Sequence, residues 1–118
     1  MGKEILPKHQ ILTIMTYKLT HEGSSGEMEY NAEKHFAANA SGLVMAIIAA
    51  TKLLDLGKQG FEDYADIRIA IPRFNEQSKA MEFQWLPDED FWSMITTANA
   101  GMLQKLYQMA LQYWNRKT

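Results

Sequence analysis

The chain has 118 residues, 47% hydrophobic and 22% charged, which suits one globular domain able to bury a core without staples. It has no cysteine, which excludes disulfides and thiolate metal sites. Its net charge is −2 and its lysines and arginines are scattered, with Arg116-Lys117 the one adjacent pair, which argues against sequence-independent phosphate binding.

The N-terminal MGKEILPKHQ lacks the apolar run of a signal peptide, and Leu6 stands where myristoylation needs Ser or Thr. Residues 11–20, ILTIMTYKLT, are rich in β-branched and aromatic types and predict a strand with Met15, Tyr17 and Leu19 on one face. HEGSSGE reads as a turn, and MEY at 28–30 as a short return strand. Asn31 is a helix N-cap candidate. Beyond it Phe36, Ala40, Leu43, Val44, Ile47, Ile48, Thr51 and Leu54 recur at helical spacing, predicting a helix over 32–56 closed by Gly57 and Lys58. Its most apolar part, GLVMAIIAA at 42–50, falls short of the roughly 20 residues that span a bilayer, so the expectation is a soluble, cytoplasmic protein without a membrane partner.

Strands are expected at 66–74 and 80–86, joined by NEQSK, with Pro72 pointing to an edge or a bulge. Pro87 ends the second strand. Asp88, with Glu89 and Asp90 behind it, caps a last helix to about residue 115, with a kink allowed near Thr96-Thr97 and Gly101. The order ββαββα gives an α+β fold over residues 1–118, a four-stranded antiparallel sheet with two long helices packed on one face. Ile67, Ile69, Ile71, Met81, Phe83 and Trp85 are expected under the helices, with Arg68, Glu82 and Gln84 on the wet face. The expected core contains Ile69, Ile71, Phe83, Leu43, Ile47, Ile95 and Leu106.

Both helices are poor in charge. His35 to Thr51 carry none, and Phe91 to Asn115 carry Lys105 alone, whereas a helix on a sheet normally turns a charged face to water. Ala38, Gly42, Ala46 and Ala50 form a row of small residues along which a second helix can approach closely. The neighbours Phe91-Trp92 and Tyr113-Trp114 point about 100° apart and need a wide covered arc. Together with Tyr107 these features assign an interface to Ala38, Gly42, Ala46, Ala50, Trp92, Tyr107, Tyr113 and Trp114, and predict a homo-oligomer, a dimer being the commonest form. The ordinary alternative is that the helices pack on each other within one chain.

The sequence offers little catalytic chemistry. His9, His21 and His35 lack metal-ligand spacing. Glu27 and Glu29 alternate on one strand face, and Asp88, Glu89 and Asp90 serve capping. No serine sits in a Gly-x-Ser-x-Gly turn and no phosphate-binding glycine loop occurs, GSSG being a hairpin tip. No catalytic residue, metal ligand or cofactor is assigned. The leading expectation is a non-enzymatic protein-interaction module: an adaptor, inhibitor, immunity or chaperone-like protein that binds another protein and not nucleic acid. The alternative is a small-ligand-binding protein or small enzyme with a pocket between sheet and helices lined by Tyr17, Tyr30, Trp85 and His35.

Overall fold

The computed structural model describes residues 12–23, 26–58 and 62–116. Strands β1 (Thr13–Gly23) and β2 (Gly26–Phe36) precede helix α1 (Ala40–Lys58). Strands β3 (Glu62–Asn75) and β4 (Ala80–Leu86) precede helices α2 (Phe91–Asn99) and α3 (Leu103–Asn115). The described strand pairs are antiparallel and the sheet order is β2-β1-β3-β4, so among the described residues β2 and β4 are the edges. The α+β class and the ββα-ββα order agree with the expectation from sequence. His9, the Ser24-Ser25 tip and Lys117 lie outside the described residues, as does the side chain of His21.

β2 runs on through residues 31–36, where a helix was expected. Every residue from Gly26 to Phe36 faces a β1 partner, and this ladder overrides the helix preference of Ala-Glu-Lys. The helix is capped by Asn39 instead of Asn31: the Gly42 N–H donates to Asn39 Oδ1 at 2.8 Å and the Leu43 N–H to the Asn39 carbonyl at 3.0 Å. Gly42 is required there, because a Cβ would stand 1.8 Å from the Ala37 carbonyl oxygen. The helix runs past Gly57 to Lys58.

The single last helix of the sequence reading is two. Gly101, at φ +77°, takes the left-handed conformation that closes α2, and the N–H groups of Ala100, Gly101 and Met102 turn back to the carbonyls of Thr96, Ala98 and Thr97. The chain breaks where a kink was expected. Asp88 shapes the turn before α2, its Oδ1 accepting the Asp90 N–H at 3.0 Å.

One core lies between the sheet and the helices. Met15 from β1, Ile69 and Ile71 from β3 and Leu86 from β4 meet Leu43, Ala46, Ile47 and Ala50 of α1. Phe91, Met94 and Ile95 of α2 and Leu106, Ala110 and Tyr113 of α3 complete it. Full burial of the leucine, isoleucine, methionine and phenylalanine side chains among these stabilises the fold by about 1.5–3 kcal/mol each, and of the alanines by less. No described helix is long and apolar enough to cross a membrane.

Candidate interaction surface

The second hairpin decides what the sheet shows to solvent. Asn75 starts its turn by accepting the N–H groups of Gln77 and Ser78 on Oδ1, and Lys79, at φ +57°, ends it. Four turn residues, Glu76 to Lys79, separate the paired Asn75 and Ala80. That count fixes parity, so each odd-numbered residue of β3 faces an even-numbered residue of β4. Ile69 pairs with Leu86, Ile71 with Gln84 and Arg73 with Glu82, on the helix side. Ala70 pairs with Trp85, Pro72 with Phe83 and Phe74 with Met81, on the outer side.

This corrects the expected facing of β4. Met81, Phe83 and Trp85 turn away from the helices, and Glu82 and Gln84 turn toward them, because a register shifted by one residue exchanges the faces of a strand. Phe83 is therefore not a core residue. Phe74, Met81, Phe83 and Trp85 form an outer row with relative exposures of 51%, 42%, 45% and 52%. Ala70 and Pro72 are buried between them. Phe74 joins Ala70 and Pro72 in a second alternating apolar set of β3, and this set is the sequence signal for the outer row.

The rest of the outer face is charged. On β1 and β2 it carries Thr16, Lys18, Glu29, Asn31, Glu33 and His35, and on β3 it carries Arg68. Lys18 lies 3.8 Å from both Glu29 and Asp66, and His35 Nε2 lies 3.2 Å from Glu33. Asp66, at φ +54°, sits in a bulge opposite Tyr17, where the β1–β3 register shifts.

The inner face of the same hairpin is occupied by a hydrogen-bonded chain. Arg73 donates from Nε to Gln84 Oε1 at 3.0 Å and from its two terminal nitrogens to the carbonyls of Tyr113 and Trp114. A guanidinium there completes the C-terminus of α3, where carbonyls lack partners and the helix dipole favours a cation. Gln84 donates to the Tyr113 hydroxyl at 2.9 Å, which in turn donates to Asp88 Oδ2 at 2.5 Å. Arg116 covers the Tyr113 ring at 3.9 Å and donates to Asp90 at 2.6 Å. Burial, and then the bond to Asp88, push the Tyr113 hydroxyl well above its ordinary pKa. Burial lowers that of Arg73, and the bond to Asp90 raises that of Arg116.

The interface residues chosen from sequence are divided by the fold. Gly42, Ala46 and Ala50 are buried inside this chain, so the small-residue row is filled intramolecularly, with Ala46 and Ala50 in the core. Ala38 is exposed in the loop before α1. Tyr113 is buried in the network just described, and Trp114 packs half-buried against the core. Trp92 and Tyr107 remain on the surface, with Met45, Met102 and Leu103 as further exposed apolar residues of the helical layer.

The residues proposed for a pocket do not converge. Tyr17 faces the helix side, where its ring lies 5.9 Å from that of Tyr64, and Tyr30 follows on the same face of β2. His35 and Trp85 face outward at opposite edges of the sheet, joined by the row His35–Ile14–Ala70–Trp85. Among the described residues no cluster of three His, Cys, Asp or Glu could hold a metal. Comparison of the chain with family models, with curated proteins and with solved structures returns no match.

Proposed function

We propose that the chain is a non-enzymatic protein-interaction module of the cytoplasm, an adaptor, inhibitor, immunity or chaperone-like protein that binds another protein and assembles with itself. The observation that carries this reading is the outer row of β3 and β4, four large apolar side chains about half exposed on one edge of the sheet. Exposed singly, such residues need no explanation, but lined up they mark an interaction site. The partner is a protein and not nucleic acid, because Lys18 and Arg68 share the outer face with Glu29 and Glu33 and the described residues form no basic stripe.

Affinity capture from the native host tests the reading with three baits: the wild type, Phe83→Arg and Trp92→Arg. A protein held by the wild type and by Trp92→Arg and lost with a folded Phe83→Arg is the expected result. Equal capture by all three baits, or capture by none, overturns it.

A further inference from the structure

We infer that β4 is a self-pairing edge: β4 of one copy pairs antiparallel with β4 of a second copy about a two-fold axis through Phe83, joining two four-stranded sheets into one. The inference rests on the interaction reading of the outer row and names a second copy of this chain as the partner of the β4 edge that carries it.

The two edges of the sheet differ. β2 carries Glu27, Glu29, Glu33, Lys34 and His35, charge of the kind that keeps an edge from pairing with other chains. β4, Ala-Met-Glu-Phe-Gln-Trp-Leu, has one charge, no lysine and no proline, and its pairing to β3 runs without a bulge from Ala80 to Leu86. It has none of the common edge protections except Glu82.

The sequence of β4 also selects the register. Apolar residues stay on the outer face only if odd-numbered residues meet odd-numbered ones across the new ladder. An axis at Phe83 sets Phe83 opposite its copy, Met81 opposite Trp85 and Glu82 opposite Gln84. An axis at Glu82 would set two glutamates face to face, and like charges directly opposite are destabilising. An axis at Gln84 would set Glu82 against Leu86 and leave Met81 beyond the strand. Centred on Phe83, the row Trp85–Phe83–Met81 lies beside Met81–Phe83–Trp85 of the second copy on the same outer face, with no charge in either row.

The area sets the strength. Aromatic side chains bury roughly 150–250 Å² when fully covered, so about half of that is left on Phe83 and on Trp85 in each copy. Edge-to-edge pairing covers only the flanks of these side chains, so the buried area stays well below the roughly 1,200 Å² of a standard interface, even with Met81 included. The pair is therefore a weak dimer that forms as concentration rises, with main-chain bonds supplying much of its affinity.

The lack of cysteine makes the test direct. Directly opposed residues of antiparallel strands have Cα atoms about 4.5–5.5 Å apart, within the span of a disulfide. Under mild oxidation at high protein concentration, Phe83→Cys should cross-link to a dimer. Met81→Cys and Trp85→Cys should each stay monomeric, and their mixture should cross-link. In sedimentation, the wild-type mass should rise from 13.5 kDa toward twice that value with concentration. Phe83→Lys and Phe83→Glu should each hold it at the monomer, and mixing the two should restore the dimer. Circular dichroism confirms that each variant is folded. A folded Phe83→Cys that does not cross-link, or a Met81→Cys that cross-links with itself as fast, overturns the inference. If that happens while Phe83→Arg still loses its captured protein, the self-pairing falls and the interaction reading stands.

Discussion

Ile71 and Phe83 belong to one hairpin, one ladder step apart, and have opposite fates. Ile71 is fully buried under the helices and Phe83 is about half exposed on the other face. Nothing in their hydrophobicity separates them. The separation comes from the turn, whose four residues give β3 and β4 opposite parity. The inner face then receives two isoleucines, Leu86 and the Arg73–Gln84–Tyr113 chain, and the outer face receives an apolar row that the described residues leave about half exposed. A hairpin with two apolar faces is a structural element on one side and a candidate docking surface on the other.

The largest effect that sharpens this contrast is expected at Ala46, which is fully buried in α1. Ala46→Glu places an unpaired charge in the core and should abolish folding, read as loss of the cooperative thermal transition. A folded, soluble Ala46→Glu would mean that the small-residue row opens to solvent after all.

Next comes the direct pair. Ile71→Ala should lower stability by about 2–5 kcal/mol. Phe83→Ala, on the wet face of the same hairpin, should lower it by less than about 1 kcal/mol for the isolated monomer. Equal shifts in the denaturant midpoint, measured at low protein concentration, would contradict the register of β3 and β4.

The inner network predicts a loss of intermediate size. Arg73→Ala removes the cation from the C-terminus of α3 and leaves Gln84 without its donor, and should cost about 1.5–3 kcal/mol. Tyr113 adds a dependence on pH. Its hydroxyl stays protonated in the folded chain above the ordinary tyrosine value of about 10, so the unfolded chain loses that proton first. Its contribution is complete below pH about 10 and is lost as pH rises through the folded value. The wild type should lose stability above pH 10 more steeply than Tyr113→Phe does, and parallel curves would break the link between burial and the hydroxyl.

Much of this was legible in the sequence. Alternation in TIMTY and DIRIAI gave the strands, the 3.6 period through Leu43, Ile47 and Leu54 gave α1, and Gly101 marked the break that became two helices. Four features were hidden, each for a physical reason. Residues 31–36 have helical composition and are held extended by β1, a partner beyond any local window. The facing of β4 depends on the number of turn residues, and NEQSK does not reveal that Asn75 is already paired. The low charge of the helices was real, but it could not say which positions are covered from within. Ala46 and Ala50 are covered by this chain, whereas Trp92 and Tyr107 stay at the surface. The polar chain from Arg73 to Arg116 joins residues from β3, β4, the turn before α2 and the end of α3, and no sequence spacing announces it.

The smallest expected effect lies in the turn that separates the two faces. Lys79 holds φ +57°, a conformation that costs a non-glycine residue about 1 kcal/mol. Its ion pair with Glu76, at 3.8 Å between two exposed side chains, contributes little to set against that. Lys79→Gly relieves the strain but adds freedom to the unfolded chain, so stability should stay level or rise by less than about 1 kcal/mol. Lys79→Val keeps the strain and adds a β-branch, and should lower stability by about 1 kcal/mol. The order Gly at or above Lys, and Lys above Val, in the denaturant midpoint is the outcome expected of a left-handed residue closing a four-residue turn. If valine were as good as glycine, residue 79 would be extended and would join the strand. The turn would then shorten by one, β4 would shift parity, and Phe83 would move beneath the helices.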